Sequence, residues 1–305
     1  MEFKKYNKIH QIGHKENITL FEDSNDDIYI EEKVDGANTR FYIKDGKIIF
    51  GSRTQEINED EKNAKNFKRC LLFLREKIEK IPDIYTDLND LIFYGEAMFK
   101  HSLDYNWEEI PLFLGFDVFD VQKDKFEDWD SKTGLFNHLE LDTVPFIKTC
   151  KAGELKELSE DMIPESKYPA PSAKDRRAEG IVFKNYNKQV FGKLVRTAFK
   201  EVNKETFGMS KKFAKDDDER IVAMYCVNAR IDKMIFKLID EGVELEMKMM
   251  EQLPKRVYED IMEEGHDILF SNYSVDFRNI RKLVTKRCLA VLQQVITNNA
   301  LNVIR

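Results

Sequence analysis

The 305-residue chain changes its sequence texture near residue 208, and this change limits the folds it can adopt. Before that point, short runs rich in β-branched and aromatic residues alternate with turn residues, as in DIYIEEKV, LIFYGEAMF and GIVFKNY. Beyond about residue 217, glycine is almost absent, proline occurs once, and apolar residues recur at helical spacing. We therefore predict an α+β chain with a domain of antiparallel sheet at residues 1–208 and an all-helical C-terminal domain at residues 209–305.

The composition argues against several classes of protein. No apolar run reaches the length of a membrane span, and the N-terminal residues lack the apolar stretch of a signal peptide, so we expect a cytoplasmic protein with no membrane partner. The four cysteines lack the CxxC spacing of zinc sites. The net charge of −7 disfavours a protein that coats nucleic acid by bulk charge, although an enzyme can grip a polyanion in a local basic groove. No feature indicates an obligatory protein partner.

Local patterns predict several elements within the first domain. The stretch RFYIKDGKIIF predicts a hairpin, because Asp45 and Gly46 supply the positive φ angles that tight turns require. A second hairpin turn is expected at residues 185–188. One helix is expected at about residues 60–81, and residues 122–178 are expected to be rich in loops. The apolar face of that helix would carry Phe67, Leu71, Leu74 and Ile78.

The stretch YIEEKVDGANTRFYI raises the question of what Lys33 does at the end of a strand. One interpretation is an exposed strand end that leads into the turn formed by Asp35 and Gly36. The other is a nucleophile, since a glycine turn lets phosphate approach the backbone. A lysine becomes nucleophilic when burial or a neighbouring cation lowers its pKa. The motif alone does not decide between them.

Three later stretches carry further charged residues at strand ends: FYGEAMF with Glu96, AEGIVFKN with Glu179 and Lys184, and VFGKLVRTAF with Lys193. Each of them taken singly is more often structural. Taken together with Lys33, and in this order, they resemble the covalent nucleotidyltransferase superfamily of ATP-dependent ligases and capping enzymes.

Within this superfamily the chain looks most like the RNA ligases that include the phage nick-sealing enzyme and the trypanosome RNA-editing enzymes. The features that carry this resemblance are Glu32 directly before Lys33, Asn38 five residues after it, and the helical tail. DNA ligases and capping enzymes continue instead into a β-rich domain. The resemblance spans residue 32 to about residue 199 and implies an ATP-grasp-like ligase core for the first domain.

The resemblance implies that Lys33 takes AMP from ATP, passes it to an RNA 5′-phosphate, and that a 3′-hydroxyl then displaces it. Glu96 and Glu179 would hold Mg²⁺ or Mn²⁺. The implied catalytic residues are Lys33, Arg53, Lys184 and Lys193. The implied nucleotide contacts are Glu32, Asn38, Arg53, Phe119, Lys184 and Lys193. A cation close to Lys33 would depress its pKa. For Phe119, stacking on the purine competes with an ordinary place in the core.

A basic stretch of the last helix is a candidate RNA contact. DFRNIRKLVTKR brings four cations near one helix face: Arg278, Arg281, Lys282 and Lys286. A solvated helix face is the commoner explanation of such a run. Beside a phosphate-seeking active site, we interpret it as a contact to the RNA backbone.

The chain departs from the family at its last motif, where lysines usually stand at i and i+2. Lys193 is followed two residues later by Val195, and Arg196 at i+3 points to the opposite face of a straight strand. Two alternatives therefore stay open beside an RNA ligase. One is a DNA ligase or another covalent nucleotidyltransferase, and the other is a catalytically silent RNA-binding relative.

Overall fold

The computed structural model describes residues 4–58, 64, 66–81, 88–99, 103–155, 158–196, 217–272 and 277–303. The chain divides into two compact units, Met1–Arg196 and Thr197–Arg305. The predicted domain boundary between residues 208 and 209 lies outside the described residues and stays a prediction.

The first unit contains eleven strands and two α-helices among its described residues. The strands are β1 His10–Gln11, β2 Asp27–Lys33, β3 Ala37–Lys44, β4 Lys47–Ser52, β5 Glu56–Ile57, β6 Leu91–Ala97, β7 Phe113–Asp120, β8 Lys125–Phe126, β9 Phe146–Lys151, β10 Gly180–Asn185 and β11 Val190–Val195. The helices are α1 Lys68–Glu79 and α2 Trp129–His138. The prediction of an α+β fold is confirmed.

Two sheets organise this unit. The first sheet has the order β1-β11-β10-β2-β9, and the second has the order β5-β4-β3-β6-β7-β8. Every strand pair is antiparallel except β1 with β11, which is parallel. Only residues 34–36 separate β2 from β3, so the chain passes from one sheet to the other directly after Lys33.

The second sheet buries one face against α1. Side chains of a strand alternate between its two faces, and Phe41 and Ile43 of β3 lie in the same apolar core as the helix. The predicted apolar face of the helix is confirmed, since Phe67, Leu71, Leu74 and Ile78 are all buried there. The helix is shorter than predicted, because its described part begins at Lys68. Residues 59–63 and 65 lie outside the described residues.

Both predicted hairpins are present. Asp45 and Gly46 have φ angles of 51° and 68° between β3 and β4, the left-handed conformation that a two-residue hairpin turn needs. Strands β10 and β11 are joined by residues 186–189, one position later than predicted, with Gln189 at φ 57°.

The stretch predicted as loop-rich contains regular structure that the pattern did not indicate. Helix α2 begins after Asp128, whose carboxylate accepts a hydrogen bond from the Ser131 amide at 2.8 Å. Its residues are mostly polar, so its apolar periodicity is weak, and it is held by burial of Phe136 and Lys132. Strand β9 is an edge strand with mostly exposed side chains, which hides the alternation of a half-buried strand.

The described part of the second unit is helical, as predicted. It comprises α3 Asp217–Tyr225, α4 Asn228–Asp240, α5 Leu253–Asn272 and α6 Phe277–Val303, with a 3-10 segment at Met247–Glu251. Apolar residues from all four helices share one core, and a buried ion pair joins Arg230 to Asp260. No described helix combines the length and the apolar composition that crossing a bilayer requires.

Candidate active site

Lys33 ends β2 and contacts the carboxylate of Glu179, the residue directly before the neighbouring strand β10. Its Nζ atom lies 2.6 Å from Oε2 of Glu179, and the two side chains are 27% and 14% exposed. The contact follows from register, because Gly180 pairs with Lys33 and Glu179 directly precedes it. The amine and the carboxylate therefore share a partly shielded position at the end of two central strands.

A second carboxylate acts on Lys33 from the other sheet. Glu96 lies on β6 opposite Asn38, and its Oε1 accepts a hydrogen bond from the Gly36 amide at 3.2 Å. A Cβ atom on Gly36 would lie 2.6 Å from the carbonyl oxygen of Ala97. Glycine at this position is what allows the turn after Lys33 to pack against the strand that carries Glu96.

The charges around Lys33 oppose its deprotonation. Burial lowers the pKa of Lys33, but the carboxylates of Glu179 and Glu96 raise it, and the net direction is upward. Burial raises the pKa of Glu96 to about 7, with Lys33 lowering it and Glu179 raising it. The described residues around Lys33 therefore act against the expected depression of its pKa, because the surrounding carboxylates favour the ammonium.

Glu32 is held on the side of the strand away from Lys33. Its carboxylate accepts hydrogen bonds from the Ser166 hydroxyl at 2.5 Å and from the Lys167 amide at 3.0 Å. Burial raises the pKa of Glu32, and these two hydrogen bonds only partly offset that effect. The segment around residue 166 therefore positions a carboxylate for which the resemblance implies a nucleotide contact.

Lys184 is not brought to Lys33. It pairs in register with Tyr29, four residues along β2 from Lys33. Its Nζ lies 2.6 Å from the Phe116 carbonyl oxygen, 2.8 Å from Asp117 and 2.6 Å from Glu31, and the side chain is almost fully buried.

Lys132, on α2, is a second buried amine that sequence reasoning missed. It donates to Glu31 and to the Phe116 carbonyl oxygen, the latter at 2.8 Å, and has no exposed side-chain surface. Burial lowers the pKa of Lys132 to about 8. No signal in the sequence marks it, since it lies in a short polar helix. We call Glu31, Asp117, Lys132 and Lys184 the buried charge cluster.

The last motif places valine rather than a cation beside Lys33. Gly180 pairs with Lys33 on one side and with Val195 on the other, so Val195 lies in the row of Lys33. Lys193 lies two positions along β11 on the same face, opposite Val182. The guanidinium of Arg196 pairs with Asp175 and donates to the Arg177 carbonyl oxygen at 3.1 Å.

Arg53 and Asn38 lie on the second sheet. Arg53 follows β4, is partly exposed, and accepts a hydrogen bond at its carbonyl oxygen from the buried Arg40 at 3.5 Å. The Oδ1 atom of Asn38 is shielded from solvent and has no hydrogen-bond partner among the described residues. An unsatisfied buried acceptor beside Glu96 favours a ligand that donates a hydrogen bond there.

Phe119 is covered by its own neighbours. It is 4% exposed, its ring lies 5.2 Å from that of Phe126, and the Lys4 amine lies 3.5 Å from its centroid. Phe116, on the same strand, is only half-buried and contacts the cluster that contains Val34. Phe116 thus packs against the cluster of the residue that follows Lys33 as well as against the cluster of Phe119.

The four basic residues predicted to contact RNA all lie on α6 and are exposed: Arg278, Arg281, Lys282 and Lys286. Arg281 stacks over the ring of Tyr258 at 4.7 Å. Among the described residues, no group of three or more carboxylate, histidine or cysteine side chains forms a metal-binding cluster.

A family model described as RNA ligase matches residues 26–202, more than half of the chain. The chain belongs to the RNA ligase family. The match covers Lys33, Glu96, Glu179 and Lys193, and it ends before the first described helix of the second unit. No curated protein matches this RNA ligase family member.

Solved structures of the Naegleria gruberi RNA ligase are also similar to the chain. A lysine-to-alanine variant with ATP and Mn is 19% identical over 63% of this chain and 56% of that chain, with a TM-score of 0.47. A glutamate-to-alanine variant with AMP and Mn is 20% identical over 65% and 57%, with a TM-score of 0.48. The chain thus spans slightly more than half the length of these ligases.

Proposed function

We propose that this chain is an ATP-dependent RNA ligase that joins RNA ends carrying a 3′-hydroxyl and a 5′-phosphate. The observation that carries the proposal is the amine of Lys33, 2.6 Å from Glu179 and within the field of Glu96, at the turn between the two sheets. An amine held in a partly shielded position is suited to attack phosphorus once it loses its proton. Membership of the RNA ligase family supports RNA as the substrate.

Three displacements at phosphorus would take place at this one site. The Nζ atom of Lys33 attacks the α-phosphorus of ATP, a nitrogen–phosphorus bond forms, and the bond to pyrophosphate breaks. The 5′-phosphate of RNA then takes AMP from the lysine, and the 3′-hydroxyl finally displaces AMP to form the phosphodiester. Glu179 Oε2 is close enough to Nζ to accept its proton. Such chemistry rests on positioning and on neutralising charge.

Glu96 and Glu179 would hold Mg²⁺ or Mn²⁺. These carboxylates suit a cation, because both already attract the ammonium of Lys33 and raise its pKa. Two carboxylates suit Mg²⁺, which usually keeps several waters and binds phosphate oxygens. When bound, the ion would neutralise phosphate charge and relieve the attraction that keeps Lys33 protonated.

The nucleotide would be recognised by residues of both sheets. Glu32 and Asn38 offer acceptors to the purine or ribose, while Arg53 and Lys193 supply cations for phosphate oxygens. Lys184 would not contact phosphate, because its ammonium already contacts three acceptor groups.

Either aromatic ring of β7 could stack on the purine. Phe116→Leu and Phe119→Leu should separate them, because the stacking residue loses ATP affinity without loss of fold. An increase in KM for ATP in one variant alone identifies it. Unchanged KM in both variants would exclude both rings.

RNA would be gripped partly by the exposed cations of α6, through phosphate contacts that carry no sequence information. A catalytically silent RNA-binding relative is the second candidate function. It is favoured by Val195, which stands where the family usually has a second lysine. The two candidates differ in one measurable property, the covalent attachment of AMP to Lys33.

The deciding experiment incubates the full chain with α-labelled ATP and Mg²⁺ and resolves it on a denaturing gel. Lys33→Ala should abolish the label, whereas Lys44→Ala, an exposed lysine on the nearby hairpin, should retain it. Prior treatment with pyrophosphate strips any AMP already attached. Absence of label in the wild type would favour the silent relative.

Parallel reactions test the substrates of the proposed ligase. GTP in place of ATP tests for another nucleotidyltransferase, and nicked DNA in place of RNA tests for a DNA ligase. Labelling with ATP together with sealing of RNA ends alone would support the proposal in full.

A further inference from the structure

The turn after Lys33 is held by a segment to which the resemblance assigns no site residue. The Asp35 amide donates a hydrogen bond to the hydroxyl of Tyr105 at 2.8 Å, and the Leu103 amide donates to Oδ2 of Asp35 at 2.7 Å. These two contacts join positions 68 and 70 residues apart in the chain. The backbone two residues beyond the nucleophile is therefore fixed from outside its own strand.

Tyr105 is itself firmly anchored. Its side chain is 2% exposed, and its ring packs in an apolar cluster with Val34, the residue next to Lys33. Its backbone forms a bridge with Pro169, and the ring of Trp107 meets it edge-on at 5.7 Å. A hydroxyl on a ring packed this way has little freedom to move, so it defines the place of the Asp35 amide.

The segment containing Tyr105 also connects to the residues that hold Glu32. The Asn106 amide donates to the Tyr168 carbonyl oxygen, and the Ala170 amide donates to the Asp104 carbonyl oxygen, both at 3.0 Å. Ser166 and Lys167 of the same stretch bond the Glu32 carboxylate. The two connected segments, around residues 105 and 167, therefore hold the chain by hydrogen bonds to Glu32 before Lys33 and to Asp35 after it.

We propose that Tyr105 is a positioning residue for the nucleophile: its hydroxyl accepts a hydrogen bond from the Asp35 amide and so fixes the turn that holds the Lys33 amine beside Glu179. The inference rests on the proposed function, since it assigns a role in forming the lysyl-adenylate. Among the described residues no hydrogen bond joins Tyr105 to Lys33, so Tyr105 would act through the backbone of residues 34–36. Displacing a reacting group by about 1 Å can cost on the order of a hundredfold in rate.

Tyr105→Phe tests this role, because it removes the hydroxyl and keeps the ring. We expect the rate constant for AMP attachment to fall at least about tenfold, with KM for ATP unchanged. Tyr42→Phe is the matched control, because Tyr42 is also buried and lies towards the end of β3 that is distant from the turn. Its hydroxyl donates a hydrogen bond to the Glu56 carboxylate at 2.5 Å. This control should keep the wild-type rate. Circular dichroism and tryptophan fluorescence check that both variants are folded.

Amide hydrogen exchange supplies a readout that does not depend on activity. The Asp35 amide should exchange faster in Tyr105→Phe than in the wild type and should be unaffected in Tyr42→Phe. A wild-type labelling rate in Tyr105→Phe would overturn the inference, and so would a slow rate with unchanged exchange at Asp35. Equal rate losses in both variants would also overturn it. Failure of the proposed function is distinguishable, because the wild type itself would then take no label.

Discussion

The buried charge cluster allows a quantitative prediction for Lys132→Met. The cluster contains two carboxylates and two amines, so its charges cancel in the native state. All four residues are at most 1% exposed: Glu31, Asp117, Lys132 and Lys184. Removing the Lys132 amine leaves one negative charge in excess and deprives Glu31 of one of its two amine partners. Breaking a buried ion pair from one side typically costs about 3–5 kcal/mol. We expect a loss of that size in the free energy of unfolding.

A charge-balanced variant separates the buried charge from the lost contact. In Glu31→Gln with Lys132→Met the cluster keeps one carboxylate and one amine, Asp117 and Lys184, which lie 2.8 Å apart. Replacing both members of a buried pair is often close to neutral. The double variant should therefore recover most of the stability that Lys132→Met loses.

The assay uses the two tryptophans, Trp107 and Trp129, both of which belong to the first unit. Urea unfolding followed by tryptophan emission thus reports on that unit alone. Lys123→Met is the matched control, because Lys123 also pairs with two carboxylates but is 54% exposed. It should change the unfolding midpoint little. A loss below about 1 kcal/mol in Lys132→Met, or a double variant no more stable than that single variant, would refute the reasoning.

Two further predictions concern Glu96 and α6. Burial raises the pKa of Glu96 from 4.5 to about 7. Between these two pH values the native state keeps a proton on Glu96 that the unfolded state has lost. The free energy of unfolding therefore falls as the pH rises from 4.5 to about 7 and stays lowered above pH 7. Glu96→Gln should therefore unfold at a higher temperature than the wild type at pH 8, and the difference in melting temperature should shrink towards pH 5. The same variant should lose metal-dependent AMP attachment. Equal melting temperatures at pH 8 would contradict the prediction. Lys282→Ala with Lys286→Ala should leave AMP attachment unchanged but weaken RNA binding and lower its salt-dependence slope by about 1–2. The control variant Lys44→Ala with Lys47→Ala, at two exposed lysines, should leave RNA binding and its salt dependence unchanged. Equal effects of the two double variants would exclude a specific contact of α6 with RNA.

The features predicted correctly from the sequence are those that local chemistry specifies. The hairpin at Asp45 and Gly46 follows from the φ angles that these residues tolerate, and the helical unit follows from apolar spacing. Lys33, Glu96 and Glu179 each stand at or beside the end of a strand, as expected, while their roles stay predictions. Their convergence was expected only through the resemblance, and the register of β2 with β10 accounts physically for the pairing of Lys33 with Glu179.

The features that sequence reasoning missed depend on contacts between distant segments. Lys132 and Glu31 are 101 residues apart, and no periodic pattern in a short polar helix indicates that its lysine is buried. The resemblance implied a phosphate contact for Lys184, and no local pattern indicates that its amine contacts Glu31 and Asp117 instead. Its partner Asp117 is 67 residues away and belongs to the other sheet.

The sequence by itself determined the turn at Asp45 and Gly46, the apolar face of α1 and the helical tail, since these depend on residues within a few positions of one another. The role of Lys33 as a nucleophile rests on the resemblance and stays a prediction. Only the tertiary structure decided which charges act on Lys33, that Lys184 neutralises buried carboxylates, and that Tyr105 holds the turn at Asp35. The physical reason is that pKa values and hydrogen-bond partners depend on distance and burial in space. Those quantities are set by how the two sheets meet, which no local pattern encodes.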